Sequence, residues 1–200
     1  ILVLSLFLCG CTFHINHDIE PVLARRPLVE SSPLTVAVYF SPELRAYRSE
    51  KCESAFPLGT ICHEYNNLGP QSVALFESVF TALFDRVLVI DSMPIASAKI
   101  KVIAGILAPA ITEFNVRLVE TQVTYRVALY SPAGEELNVG EFDGSGPPYT
   151  SEGARVAMRD AAARFVRQFR KEPVIVRWLE DAIGTSSDTT QSQAEEVVRP

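Results

Sequence analysis

The sequence predicts an α+β fold: a two-layer sandwich in which one twisted, mostly antiparallel sheet has two main helices packed on one face. Two long segments show the three- and four-residue apolar spacing of helices, and the remaining apolar segments are β-branched or alternate with period two. Their order is strand, helix, several strands, helix, which lacks the regular alternation of a doubly wound fold. The chain has 200 residues, which suits one domain, and we assign that domain to residues 34–183.

The N-terminal segment has the pattern of an export signal. An apolar run at residues 1–8 is followed by Cys9, Gly10 and Cys11, and the run is shorter than the about 20 residues that a membrane span needs. Gly10-Cys11 resembles the lipobox of bacterial lipoproteins, although Cys9 stands where alanine, serine or threonine is more usual. The resemblance implies a lipoprotein signal peptide at residues 1–10 and lipidation of Cys11, with palmitate. An ordinary signal peptide cleaved nearby is the alternative.

The next segment has no apolar period. Residues 11–33 are polar and punctuated by prolines, so we expect the acylated cysteine to be followed by a flexible tether of about 20 residues. Leu34–Phe40 is rich in β-branched and aromatic residues and is closed by Ser41-Pro42, which predicts the first strand of the core. We interpret residues 43–70, which mix charges with Asn-Asn and Gly-Pro pairs, mostly as a long loop.

Cys52 and Cys62 are the two cysteines outside the signal region. In an oxidising compartment we predict a disulfide between them, which would contribute about 2–3 kcal/mol in the chain-entropy model. Two free cysteines are the alternative, because spacing alone does not show that the Cα atoms approach closely enough.

A helix is predicted from Gln71, with Pro70 suited to its first turn. Its phenylalanines have the spacing of a core-facing stripe, which favours packing over an aromatic ligand box. Gly140, Gly144 and Gly146 are interpreted as turn residues, because the Lys-Ser/Thr of a phosphate-binding loop is missing. Strands are predicted at residues 87–91, 99–106, 110–118, 123–130 and 137–142, with a turn at 132–134.

A second long helix is predicted from an N-cap at Ser151 to Pro173. A short terminal helix follows, and the polar residues 184–200 are expected to be a disordered tail. The long helix carries a candidate basic interaction face for anionic lipid, lipopolysaccharide phosphates or an acidic partner. A solvated face with local pairs such as Asp160 with Arg164 is the alternative. The face comprises Arg155, Arg159, Arg164, Arg167, Arg170 and Lys171.

Several function classes are disfavoured. A net charge of −6 and a pI near 5.1 give no electrostatic footprint for nucleic acid. His14, His17 and His63 lie in segments without a rigid nucleophile nearby, so we expect no enzyme and no cofactor. Cys11, His14 and His17 have a spacing that would suit a metal, but acylation would consume the thiol, so we also expect no metal.

An anchor cysteine at Cys11 followed by a tether and the order strand, helix, strands, helix resembles the small Gram-negative periplasmic lipoproteins of the YajG, LptE-like and ABC-transport auxiliary types. The resemblance covers residues 34–179 in the order of elements. It implies a non-catalytic accessory protein of the cell envelope. Thr12 follows the cysteine in place of an aspartate, which implies delivery to the periplasmic face of the outer membrane. The long loop with Cys52 and Cys62 departs from these families.

The leading hypothesis is a lipid-anchored periplasmic accessory protein. It would bind another envelope protein or its own copies, and so scaffold or assist assembly of a transport, secretion or cell-wall complex. The alternative is a lipid- or lipopolysaccharide-binding transport module. A pocket of several hundred Å³ lined by the phenylalanines would favour the alternative. A filled core with an exposed apolar edge would favour the accessory protein.

Overall fold

The computed structural model describes residues 12–22, 31–54, 59–93 and 103–196, and of residues 185–196 it describes the backbone alone. Cys11 and its signal segment lie outside the described residues. The first half of the chain forms β1 (Thr12–Asn16), β2 (Ser32–Tyr39), α1 (Pro42–Arg45), β3 (Ser49–Ser54), β4 (Thr60–Tyr65), α2 (Leu68–Leu83) and β5 (Phe84–Ile90). The second half forms β6 (Ile106–Val116), β7 (Thr121–Tyr130), β8 (Glu136–Gly146), α3 (Ser151–Phe169) and α4 (Pro173–Glu196).

The main sheet has five strands in the order β5-β2-β6-β7-β8. The α+β class is confirmed, but the sheet is mixed where the sequence predicts a mostly antiparallel one. β2 pairs in parallel with β5 and β6, whereas β6, β7 and β8 form an antiparallel meander. A parallel pair requires a crossover, and the path from β2 to β5 includes helix α2. Alternation within a strand does not encode the direction of its neighbour, so this difference has no sequence signal.

A second, three-stranded sheet has the order β1-β4-β3 and is called the small sheet below. It corrects two expectations. β3 and β4 lie within the segment interpreted as a long loop, and they pair antiparallel. β1 lies within the expected tether and pairs in parallel with β4. β1 is exposed at every position, so it carries no burial pattern that would distinguish a strand from a polar linker.

The segment after β1 also packs against the domain. Ile19 and Val22 are buried in the main core. The side chain of Asn67 accepts from the Ile19 amide at 3.1 Å and donates to the Ile19 carbonyl at 2.9 Å, and Gln71 accepts from the amide of Val22. Residues 12–22 are therefore held by β4 and by the start of α2, and they do not form a free tether.

The core lies between one face of the main sheet and helices α2 and α3. Phe76 and Phe80 of α2 meet Phe165 of α3 in edge-to-face contacts, which confirms that the phenylalanine stripe packs in the core. The interpretation of the glycines as turn residues is wrong, because Gly140, Gly144 and Gly146 all lie within β8. A Cβ at Gly144 would lie 2.0 Å from the carbonyl oxygen of Ala157, so Gly144 and Gly146 let α3 approach the sheet backbone.

The C-terminal helix is longer than expected. Pro173 begins α4, as a break followed by a helix predicts, but the helical backbone continues to Glu196 and covers most of the expected disordered tail. Trp178 anchors the start of α4, donating from Nε1 to the Ala104 carbonyl at 3.1 Å and contacting Phe84 edge-on. Among the described helices, none combines the length and apolarity that crossing a bilayer requires.

Candidate functional site

The small sheet is cross-linked by the disulfide that the cysteine pair predicts. Cys52 and Cys62 face each other directly in the β3–β4 register, with Cα atoms 4.0 Å apart, and their sulfur atoms are bonded. Cys62 is buried and Cys52 is exposed. The bridge ties together two strands that have few apolar residues of their own, so it supports a sheet that burial alone would hold weakly.

A cluster of rings, His17, His63, Tyr65 and Tyr149, joins the small sheet to the main domain; we call it the histidine cluster. His17 Nε2 lies 2.9 Å from His63 Nδ1, and the His17 ring stacks on Tyr65 at 4.6 Å. His63 also contacts Tyr149, which precedes α3, at 4.7 Å. The Tyr149 hydroxyl donates to Glu53 at 2.8 Å, so residues from β4, β3 and the α3 entrance meet here.

Burial is the main cause of the pKa shifts of His17 and Tyr65 in this cluster. It lowers the pKa of His17, and the neighbouring His63 lowers that pKa further. It also raises the pKa of Tyr65 to about 12, with a smaller contribution from Tyr149. The hydrogen bond to Glu53 raises the pKa of Tyr149. The pKa shifts of His17, Tyr65 and Tyr149 therefore all favour the neutral form of these three rings.

Acidification should loosen the junction. A histidine whose pKa is lowered by folding binds protons less well in the folded than in the unfolded chain, so stability falls as the pH drops below about 6.5. We expect a loss of less than about 1 kcal/mol between about pH 7 and about pH 5, because His17 is only partly buried. Urea unfolding at several pH values measures this slope.

The matched variant for that measurement is His17→Gln, which keeps a polar side chain and removes the titration. Its pH slope over this window should be shallower than that of the parent chain. The lowered pKa of Glu64 acts in a different window: it contributes stability that is lost only as the pH falls below about 4.5. An unchanged slope in His17→Gln above that pH would contradict the assignment.

The opposite, exposed face of the small sheet holds a second cluster. His14 contacts Glu64 and lies 4.0 Å from Glu50, and one of its ring nitrogens lies within 4.8 Å of the Cys62 sulfur. Such a set has the composition of a metal site, but the Cys62 sulfur is committed to the disulfide. The remaining groups are explained by a histidine placed between two carboxylates that oppose each other across β3 and β4.

The candidate basic face of α3 is partly neutralised by the protein itself. Arg155 pairs with Glu152 and lies 3.9 Å from Glu20, and Arg164 pairs with Asp143 at 2.9 Å and Asp160 at 3.2 Å. Arg159 and Arg167 also lie in α3, whereas Arg170 is its C-cap and Lys171 follows the helix, so these last two residues of the predicted face are not on the helix. The local pairing that formed the alternative interpretation is thus present, so the face is less cationic than its composition indicates.

Two aliphatic side chains that sequence reasoning did not single out are highly exposed. Leu118 is 80% exposed and Val119 is 79% exposed. They are the central residues of the turn between β6 and β7, which is closed by a 2.8 Å bond from the Arg117 amide to the Glu120 carbonyl. We call residues 117–120 the hairpin tip. The sequence signal that could have identified them is an apolar pair flanked by Arg117 and Glu120, at the turn between two predicted strands.

The phenylalanine-lined cavity between β8 and α3 is small. Its volume is about 160 Å³, and Phe142, Phe165 and Phe169 contribute to its wall. Pockets for drug-sized ligands occupy roughly 300–1,000 Å³. This internal space is below the several hundred Å³ that would favour an acyl-chain carrier.

An open groove of about 400 Å³ lies between the start of α4 and the edge strand β8; we call it the distal groove. Leu137, Val174 and Trp178 provide apolar lining, and Arg177 and Asp181 provide charged groups at its border. Val174 is 45% exposed. An apolar centre with an aromatic anchor and a charged rim is the composition of a protein-binding surface.

No protein-family model matches the chain, and no curated protein matches it. Among solved structures the chain is similar to a hypothetical protein, CT253, from Chlamydia trachomatis. The identity is 14%, the match covers 75% of this chain and 98% of that chain, and the TM-score is 0.38. At this level of similarity we infer nothing from it about fold or function.

Proposed function

We propose that this chain is a lipid-anchored, non-enzymatic accessory protein on the periplasmic face of the outer membrane. It would assist assembly of an envelope transport, secretion or cell-wall complex by docking another envelope protein in the distal groove. The observation that carries the proposal is the combination of a phenylalanine-filled core with an exposed apolar groove elsewhere. That combination favours recognition of a partner surface over storage of a ligand inside the domain.

The distal groove and the hairpin tip lie at opposite ends of the main sheet. The distal groove lies at the beginning of β6, next to Ala104, whereas the hairpin tip lies at the other end of that strand. β6 has 11 residues, which corresponds to a length of about 35 Å. A partner bound in the groove would thus occupy the end of the sheet opposite the hairpin tip.

The lipid-carrier alternative receives less support. The rings of Phe76, Phe80 and Phe165 pack against one another rather than around a ligand-sized space. The cavity beside them holds about 160 Å³. The distal groove is larger but open and bordered by Arg177 and Asp181, and charged groups at the rim suit a protein surface better than an acyl chain.

Photo-crosslinking in intact envelopes tests the docking site. A photoreactive phenylalanine analogue at Val174 should give one discrete protein adduct, identified by mass spectrometry, because this side chain lies in the groove. The matched control is the same analogue at Val89 of the edge strand β5, a valine of similar exposure, 48% against 45%. It should give no such adduct.

The other outcomes are decisive as well. An adduct between two copies of this chain at position 174 would identify the partner as the protein itself and would replace an envelope partner by self-assembly. Lipid adducts alone, or equal protein adducts at positions 174 and 89, would contradict docking in the groove. Folding of each variant is checked by circular dichroism before the adducts are compared.

A further inference from the structure

The hairpin tip is unusual for its position in the fold. Two-residue hairpin turns favour Asn, Gly or Asp, and favour positive φ at the central residues. Here the two central residues are Leu118 and Val119. Neither has a positive φ, since Tyr149 is the one non-glycine residue with positive φ among those described. The β7–β8 turn at the other end of the sheet is ordinary, with Ser131, Pro132 and a positive-φ Gly134. Local turn chemistry therefore does not explain the exposed aliphatic pair.

Contacts of the small sheet show which end of the molecule the tip shares. Tyr65, at the end of β4, contacts Phe114 of β6, while His63, two residues earlier in β4, contacts Tyr149. Tyr149 follows Pro147, whose carbonyl accepts from Thr121, the first residue after the hairpin tip. The start of β4 is therefore closer to the hairpin tip than its end at Tyr65.

β1 is parallel to β4, so the start of β1 lies beside the start of β4, on the side of the hairpin tip. Thr12 pairs with Thr60 at the start of β4, and Asn16 pairs with Glu64 near its end. Thr12 directly follows Cys11, and Phe13 beside it is 52% exposed. The hairpin tip and the residue next to the proposed lipid site are therefore at the same end of the molecule.

We propose that the hairpin tip is a membrane-contact element whose Leu118 and Val119 enter the lipid surface. Phospholipid supplies both parts of the chemistry: an apolar layer for the two aliphatic side chains and phosphates for the neighbouring Arg117. The inference rests on the proposed function in one respect, since the acylated Cys11 would bring this end of the domain to the bilayer. The lipid on Cys11 and the inserted hairpin tip would then hold the same end of the domain at the membrane. The distal groove, at the opposite end of the main sheet, would face away from it.

The test uses the mature, acylated protein reconstituted in vesicles of phosphatidylethanolamine and phosphatidylglycerol. An environment-sensitive nitrobenzoxadiazole probe is attached at Leu118→Cys or Val119→Cys while Cys52 and Cys62 remain bonded. A matched control carries the probe at Ala133→Cys, in the turn at the opposite end of the sheet. We expect a blue-shifted emission and strong quenching by spin-labelled lipids at positions 118 and 119, and neither effect at position 133.

Mass spectrometry of the mature N-terminus separates failure of the anchor from failure of the tip. If Cys11 is acylated and the probes at 118 and 133 behave alike, the membrane-contact role is overturned while the anchor stands. If Cys11 is not acylated, the proposed anchoring fails. The labelled protein is then mixed with the same vesicles. Quenching at position 118 but not at position 133 still supports membrane contact by the hairpin tip, and no quenching at position 118 overturns it.

Discussion

Replacing Gly144 with alanine should destabilise the protein by about 3 kcal/mol or more, near the upper end of the cost of overpacking. A Cβ at this position would lie 2.0 Å from the Ala157 carbonyl oxygen and 2.4 Å from the Ala161 amide nitrogen. Both obstacles are backbone atoms of α3, so no rotamer change can relieve them. The helix would have to move away from β8, which opens the core along its length. Urea unfolding at 25 °C measures the change.

Gly184→Ala is the matched control for that measurement. The same methyl group added there meets nothing within 4 Å. Because Gly184 lies within α4, alanine should leave stability unchanged or raise it by up to about 1 kcal/mol. If Gly144→Ala unfolds within about 0.5 kcal/mol of the parent chain, which is the range of neutral surface changes, the close contact between α3 and β8 is wrong.

The elements with strong periodicity were predictable from sequence. The apolar stripes of α2 and α3 and the alternation in β7 correspond to faces that are buried in the structure. The Cys52–Cys62 bond was predicted from compartment and spacing, and β6 and β8 were predicted in part. In each case a residue's environment repeats along the element, which leaves a pattern in the chain.

The elements that were missed lack such a pattern. β1 is exposed throughout, and β3 is mostly charged and polar because it lies at the edge of the small sheet. β4 pairs with residues almost 50 positions away in β1, and local periodicity contains no information about a distant partner. The histidine cluster depends on that pairing, so His17, His63 and Tyr149 could not be brought together from sequence. Gly144 was predicted to lie in a turn, because the α3 backbone that packs against it belongs to a different element.

Replacing Phe165 with alanine should cost about 3–5 kcal/mol, as large-to-small changes at buried phenylalanines do. Phe165 is 1% exposed, and its ring has aromatic neighbours from β8, from α2 and from its own helix. The ring centroids of Phe142 and Phe169 are 5.2 and 5.0 Å away, and those of Phe80 and Phe76 are 5.8 and 6.1 Å away. Alanine would remove all of these aromatic contacts and enlarge the adjoining cavity.

Thermal unfolding of Phe165→Ala should show a decrease in Tm of about 6–20 °C, because a loss of about 3–5 kcal/mol corresponds to about 2–4 °C per kcal/mol for a chain of this size. Phe13→Ala is the control, because half of that ring already contacts solvent and its loss should shift Tm by no more than about 2 °C. Equal shifts in the two variants would mean that Phe165 does not fill the core. The ligand-carrier alternative would then regain support, because its acyl chain needs the space that these rings occupy.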